Sequence, residues 1–167
     1  MKKTILLSAL SLSLLVACGG GNDEDPTENN DETEDELQGT WVSSCVSYSS
    51  FYLLSSTTFS VGSYSSSSSA FFDSECADSV QGVSVTGSFV VGEAITTSSG
   101  VSAKEIDFII ETIDGVSASE TSFGIYRIMD NTLFTGNLGF IEGSGIDTST
   151  EENRPTALNF DLPFTKI

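Results

Sequence analysis

Ile106-Asp107-Phe108-Ile109-Ile110-Glu111 decides the fold: Ile106, Phe108 and Ile110 alternate with Asp107, Ile109 and Glu111, the period of a strand with one face buried. A second alternation, Phe160, Leu162 and Phe164 against Asp161, Pro163 and Thr165, predicts another strand. Between them, Ile125 to Met129 and Leu133 to Leu138 flank Asp130-Asn131, two residues that tolerate positive φ and suit a tight hairpin. Further strand candidates are Gly39 to Val46, Phe51 to Leu54, Thr57 to Tyr64, Ala70 to Phe72 and Val83 to Val91. No stretch carries a sustained helical period with caps. Eight or nine short strands in simple sequence order predict an all-β fold. The expected form is a small antiparallel up-and-down barrel, because closure removes the exposed sheet edges.

Working outward, residues 37–167 form one domain, marked by all sixteen aromatic residues of the chain. It carries four basic and fifteen acidic side chains, a charge of −11. Nucleic acid is an improbable partner for so acidic a surface. The chain has no His, which removes the usual general base, the Ser-His and Cys-His nucleophile pairs and the commonest metal ligand. No catalytic residue, metal site or cofactor is expected beyond a covalent lipid on Cys18. Gly82-Val83-Ser84-Val85-Thr86 begins like a nucleophile elbow but lacks the closing glycine, and reads as a strand. Fourteen of residues 43–69 are Ser; the run Ser65 to Ser69 reads as a polar loop, with a glycan contact as the alternative. Cys45 and Cys76 are an even pair in an exported protein and predict a disulfide closing a loop of 32 residues.

The chain opens with a cationic head, Met1-Lys2-Lys3, and an uncharged stretch from Ile5 to Ala17, the layout of a secretory signal over residues 1–17. Those 13 positions span only about 20 Å at about 1.5 Å per residue, short of the roughly 30 Å hydrocarbon core. The segment ends in Leu15-Val16-Ala17-Cys18, which resembles the lipobox of bacterial lipoproteins. That resemblance implies cleavage before Cys18 and acylation at it, so that the partner is a membrane reached through a lipid anchor. Gly19 rather than Asp after the cysteine implies the outer membrane. Nine of the fourteen residues from Asp23 to Glu36 are acidic, so residues 18–36 are expected to be a lipidated, extended spacer without a core of its own.

Leu37-Gln38-Gly39-Thr40-Trp41 resembles the opening Gly-x-Trp strand of lipocalin-like barrels. In that family the Trp plugs the barrel floor and a basic residue near the last strand covers its face, a part the resemblance gives to Lys166. The segments Lys104-Glu105-Ile106-Asp107-Phe108, Phe123-Gly124-Ile125-Tyr126-Arg127-Ile128, Thr132-Leu133-Phe134 and Arg154-Pro155-Thr156 are similar to those of small bacterial lipocalin-like lipoproteins. The resemblance implies a small apolar ligand inside the barrel, with Phe123, Phe134 and Phe140 lining it. Arg127, in phase with Phe123 and Ile125, would meet an anionic head group, unless a bulge turns it outward toward an acid. Gly139 to Ala157 reads as a polar loop where the family has a helix. The alternative to a ligand carrier is a filled barrel that meets protein or glycan at the envelope.

The domain's charge sets one expectation directly. Salt screens self-repulsion, so the thermal midpoint should rise between low and moderate NaCl. An unchanged or lower midpoint would refute it.

Overall fold

The structure, a computed structural model, describes residues 36–136 and 147–167. The signal segment, Cys18, the acidic stretch as far as Asp35, and Phe140 lie outside the described residues. Nine strands form a single antiparallel sheet: β1 (Gly39–Ser43), β2 (Val46–Tyr48), β3 (Phe51–Ser60), β4 (Ser63–Phe71), β5 (Ser79–Thr96), β6 (Ser102–Ile113), β7 (Val116–Met129), β8 (Thr132–Thr135) and β9 (Phe164–Lys166). Each pairs with its sequence neighbour from β2 to β9. β1 pairs with both β9 and β3, which closes eight strands into a barrel. The extra strand, β2, continues along the edge of β3 beyond β1.

Alternation holds along the walls. Val91, Phe89 and Gly87 stand opposite Ile106, Phe108 and Ile110, which stand in turn opposite Gly124, Ser122 and Glu120. The three β6 residues of this inward row are buried, whereas Val90 and Ile109 on the other face are exposed. The Asp130-Asn131 hairpin forms with φ of 49° and 61° at the two residues, as tight-turn chemistry requires.

Four expectations are corrected by the structure. The serine run is the middle of β4, not a loop: Ser65 to Ser69 pair residue for residue with Thr58 to Leu54 and with Thr86 to Gly82. Ser has little strand preference of its own, and the ladder on both sides overrides it. Phe51 to Leu54 and part of the next candidate merge into one strand, with the turn at Val61-Gly62. The predicted Gly39 to Val46 strand breaks after Ser43, where the register against β3 shifts by one residue. Finally, most of the Phe160 to Thr165 alternation is turn, and only Phe164–Lys166 is strand. Asp161 and Pro163 stop it: the Asn159 side chain accepts the Asp161 N–H in a local turn, and Pro163 has no N–H for the ladder.

Cys45 and Cys76 are joined, with Cα atoms 5.9 Å apart. The bridge fastens the β4–β5 connection to the start of β2, across the serine-rich hairpin whose small side chains bury little apolar area. Replacing both cysteines by Ala should lower unfolding stability by about 3 to 4 kcal/mol on the chain-entropy account. The midpoint in urea measures this, and a fall below about 1 kcal/mol would show the loop held by other means.

Candidate functional site

At one end of the barrel the chain enters through Leu37, wholly buried, and Trp41, 1% exposed. The Trp41 indole N–H donates to the Leu37 carbonyl at 2.6 Å. Lys166 Nζ stands 5.2 Å from the centre of the Trp41 ring, a cation–π contact worth about 0.5 to 1 kcal/mol. Gly39 has a φ of +113°, and a Cβ there would come within 2.8 Å of Lys166 Cε. Only glycine gives the lysine its path over the ring. Beside them, Glu36 Oε1 accepts from Lys104 Nζ at 2.8 Å and from the Tyr126 hydroxyl at 2.7 Å. Burial, and then Glu36, push the Tyr126 phenol above its ordinary value, so it remains a donor. This end is closed.

Beside that floor the described residues pack an aromatic and aliphatic cluster into the interior. Phe59, Phe89, Phe108 and Tyr64 interlock edge to face or tilted, with ring centres 4.9 to 6.3 Å apart, spacings at which aromatic pairs attract. Val85, Val91, Ile106, Ile110, Leu133 and Phe164 complete the cluster. Farther along β3 and β4 the inward positions turn polar: Thr57 opposite Ser66 and Ser55 opposite Ser68, each pair sharing a hydrogen bond of 2.9 Å. These four are only partly buried. The Tyr64 hydroxyl has no hydrogen-bond partner among the described residues. Burial, and then the Glu111 charge, raise its pKa. Along the same hairpin lies an open hollow of about 320 Å³ bordered by Thr58, Ser60, Ser63, Tyr64, Ser65, Thr86, Gly87 and Glu111.

The expected ligand-lining residues are not gathered inside. Tyr126 and Leu133 take the inward positions on β7 and β8, so Phe123, Arg127 and Phe134 stand on the outer face. Arg127 Nη1 donates to the Ser102 carbonyl at 3.0 Å and pairs with no acid among the described residues. Residues 147–160 run across this outer wall as a strap. Thr148 accepts the Phe123 N–H, Thr156 accepts the Ser98 N–H, and Leu158 bridges to Gly136. Under it lies a second cluster of Ala103, Ile125 and Leu158, with Phe134 packed against them; Phe134 also meets Phe160 at 5.1 Å.

Arg154 clamps the strap, with its side chain 9% exposed. Its Nη1 lies 2.7 Å from Asp107 Oδ1 and donates to the Gly124 carbonyl at 2.9 Å. Its Nε lies 3.5 Å from Glu105 Oε1, and its Cζ 5.1 Å from the Phe123 ring centre. Next to it, a Cβ on Gly136 would come within 2.5 Å of the Pro155 ring, so the strap seats only on glycine there. Sequence reading missed this clamp. Its signal was present: a rare cation in an acidic domain, beside a proline, with Glu105 and Asp107 on the outward phase of β6.

At the end opposite Trp41, the β4–β5 connection carries Phe72, 77% exposed. Val80, at the start of β5, and Tyr48, at the end of β2, are also exposed. Asp73 Oδ1 accepts the N–H groups of Glu75 and Ala77. Those backbone donors, Ala77 first, hold its carboxyl below the usual carboxylate range. No grouping of metal-ligating side chains occurs among the described residues. No protein-family model matches the chain, and no curated protein matches it in sequence.

The clamp can be tested on its own. Arg154→Ala should cost about 1 to 3 kcal/mol by leaving Glu105, Asp107 and the Gly124 carbonyl without their donor. It should also speed hydrogen exchange at the Ser98 and Phe123 amides. Arg154→Lys, lacking the planar fork, should recover less than half of the loss. A stability change within about 0.5 kcal/mol would mean that the apolar contacts of Leu158 hold the strap alone.

Proposed function

We propose that this protein is a non-catalytic interaction module of the bacterial envelope: a filled lipocalin-like barrel held to a membrane by lipid on Cys18 and offering its outer surface to a macromolecular partner. One observation carries the reading. The chain's own aromatic side chains occupy the interior beside Trp41, while Phe123 and Phe134, the residues that would line an apolar ligand cavity, face outward. The lipobox-like Leu15-Val16-Ala17-Cys18 and the acidic stretch behind it support anchoring through a spacer. Absence of His supports a role without chemistry.

A second reading, a carrier of a small neutral molecule, is favoured by the inward Ser55, Thr57, Ser66 and Ser68 and by the unpaired Tyr64 hydroxyl. An apolar ligand would meet hydroxyls there rather than hydrocarbon. Native mass spectrometry of the full chain, released from membranes in mild detergent, separates the two: interaction predicts no stoichiometric small-molecule adduct, and a recovered adduct would overturn it in favour of the carrier. Metabolic palmitate labelling should mark the wild type and not Cys18→Ser; an unlabelled wild type would remove the anchor.

A further inference from the structure

We propose that the β4–β5 connection and its neighbours form a preorganised docking surface for a basic protein segment, with Phe72 as the apolar anchor and Asp73, Glu75 and Asp78 as the charged border. The proposal rests on the interaction reading above and names its surface and the chemistry of its partner.

Three observations converge. First, the apolar residues lie on adjacent strands at one end of the barrel. Tyr48 pairs with Phe51, Tyr52 with Phe71, and Phe71 with Ser79. Tyr48, Phe72 and Val80 therefore lie within about three strand spacings of roughly 4.8 Å each. All three are exposed, Phe72 most of all. An isolated exposed apolar side chain needs no explanation, but a cluster on one rim does.

Second, the loop is restrained. The Cys45–Cys76 bridge ties it to the first strands, and Asp73 fastens its backbone from within through the Glu75 and Ala77 N–H groups. A restrained backbone loses less conformational freedom on binding, which favours an aromatic interface anchor carried on it.

Third, the charge is one-sided. Asp73, Glu75 and Asp78 follow Phe72 in the same connection, and the four basic side chains among the described residues are engaged elsewhere. Lys104 pairs with Glu36, and Lys166 covers Trp41, both at the closed end. Arg127 and Arg154 are engaged on the outer wall of β6 and β7. Such a border attracts Lys and Arg and repels acidic surfaces, a second copy of this chain among them. The described chain also begins at the closed end, at Glu36. A lipid-anchored barrel would therefore present Phe72 away from its point of attachment.

The test uses the full chain in phosphatidylcholine nanodiscs. It is titrated with an eight-residue peptide of alternating Lys and Leu, and with the same peptide carrying Glu for Lys; binding to empty nanodiscs is subtracted. The Lys peptide should bind and the Glu peptide should not. Phe72→Asp should weaken binding at least about tenfold, and Val80→Asp should weaken it in the same direction. Glu75→Gln with Asp78→Asn should weaken it about three- to fivefold and flatten its salt dependence. Phe72→Asp adds a negative charge, so attraction to acidic residues anywhere else in the chain would leave binding unchanged or strengthen it. That outcome, equal binding of both peptides, or no binding at all would overturn the surface. The interaction reading itself would fall on a different result, a stoichiometric small molecule recovered from the barrel.

Discussion

Closure of this barrel depends on Trp41. The seam is short: β9 pairs with β1 over three residues and with β8 over two. So few ladder hydrogen bonds, each worth about 1 kcal/mol net, cannot by themselves offset the ordering of the C-terminal segment. The indole joins what the ladder holds weakly. Its ring is buried against the interior cluster, its N–H is held by the Leu37 carbonyl, and its face is covered by Lys166 of β9. The first strand and the last thereby share one side chain. Gly39 belongs to the same unit, since a larger residue would displace the lysine that covers the ring.

The scarcity of positive charge is a second constraint. Each of the domain's four cations has an intramolecular partner. Lys104 holds the entering chain through Glu36, Arg127 caps a backbone carbonyl, Arg154 clamps the strap and Lys166 covers Trp41. A fatty acid or phosphorylated ligand inside the barrel would have to take one of these away from its structural partner. Most of the other described acids are exposed, and at the end opposite Trp41 Glu75 and Asp78 share one connection with exposed Phe72.

Much of the architecture was legible because period-two patterning and turn chemistry are local. The Ile106 to Glu111 alternation and the Asp130-Asn131 turn needed no tertiary information, and the Gly-x-Trp opening with a late Lys is a short motif with a fixed geometric consequence. Other features depended on context. Ser65 to Ser69 carries no apolar pattern, so nothing in those residues reveals that ladders on both sides make them strand. Phe123, Ile125 and Arg127 do alternate, but alternation does not say which face is inward. Covering the outer face with the strap makes it apolar too, and Ile125, wholly buried there, is as hydrophobic as an interior residue. A wall buried on both faces loses the polar face that would reveal its sidedness. Hence Phe123, Arg127 and Phe134 could be placed on a strand but not on the correct side of it.

The serine-rich hairpin shows how an interior position can be polar without undoing the fold. At Ser55, Thr57, Ser66 and Ser68, each hydroxyl faces another across the strand pair, so it exchanges water for a partner rather than being stranded. Such pairs contribute little net stability, and small side chains leave little apolar area to bury. Rigidity at this end must then come from elsewhere, and the Cys45–Cys76 link supplies it at the loop that carries Phe72. A disulfide restrains the loop without filling the interior beneath it. Tight packing at the Trp41 end and a covalent clip at the other thus let one small domain keep a closed floor beside the entering chain and a tethered loop with an exposed aromatic residue at the far rim.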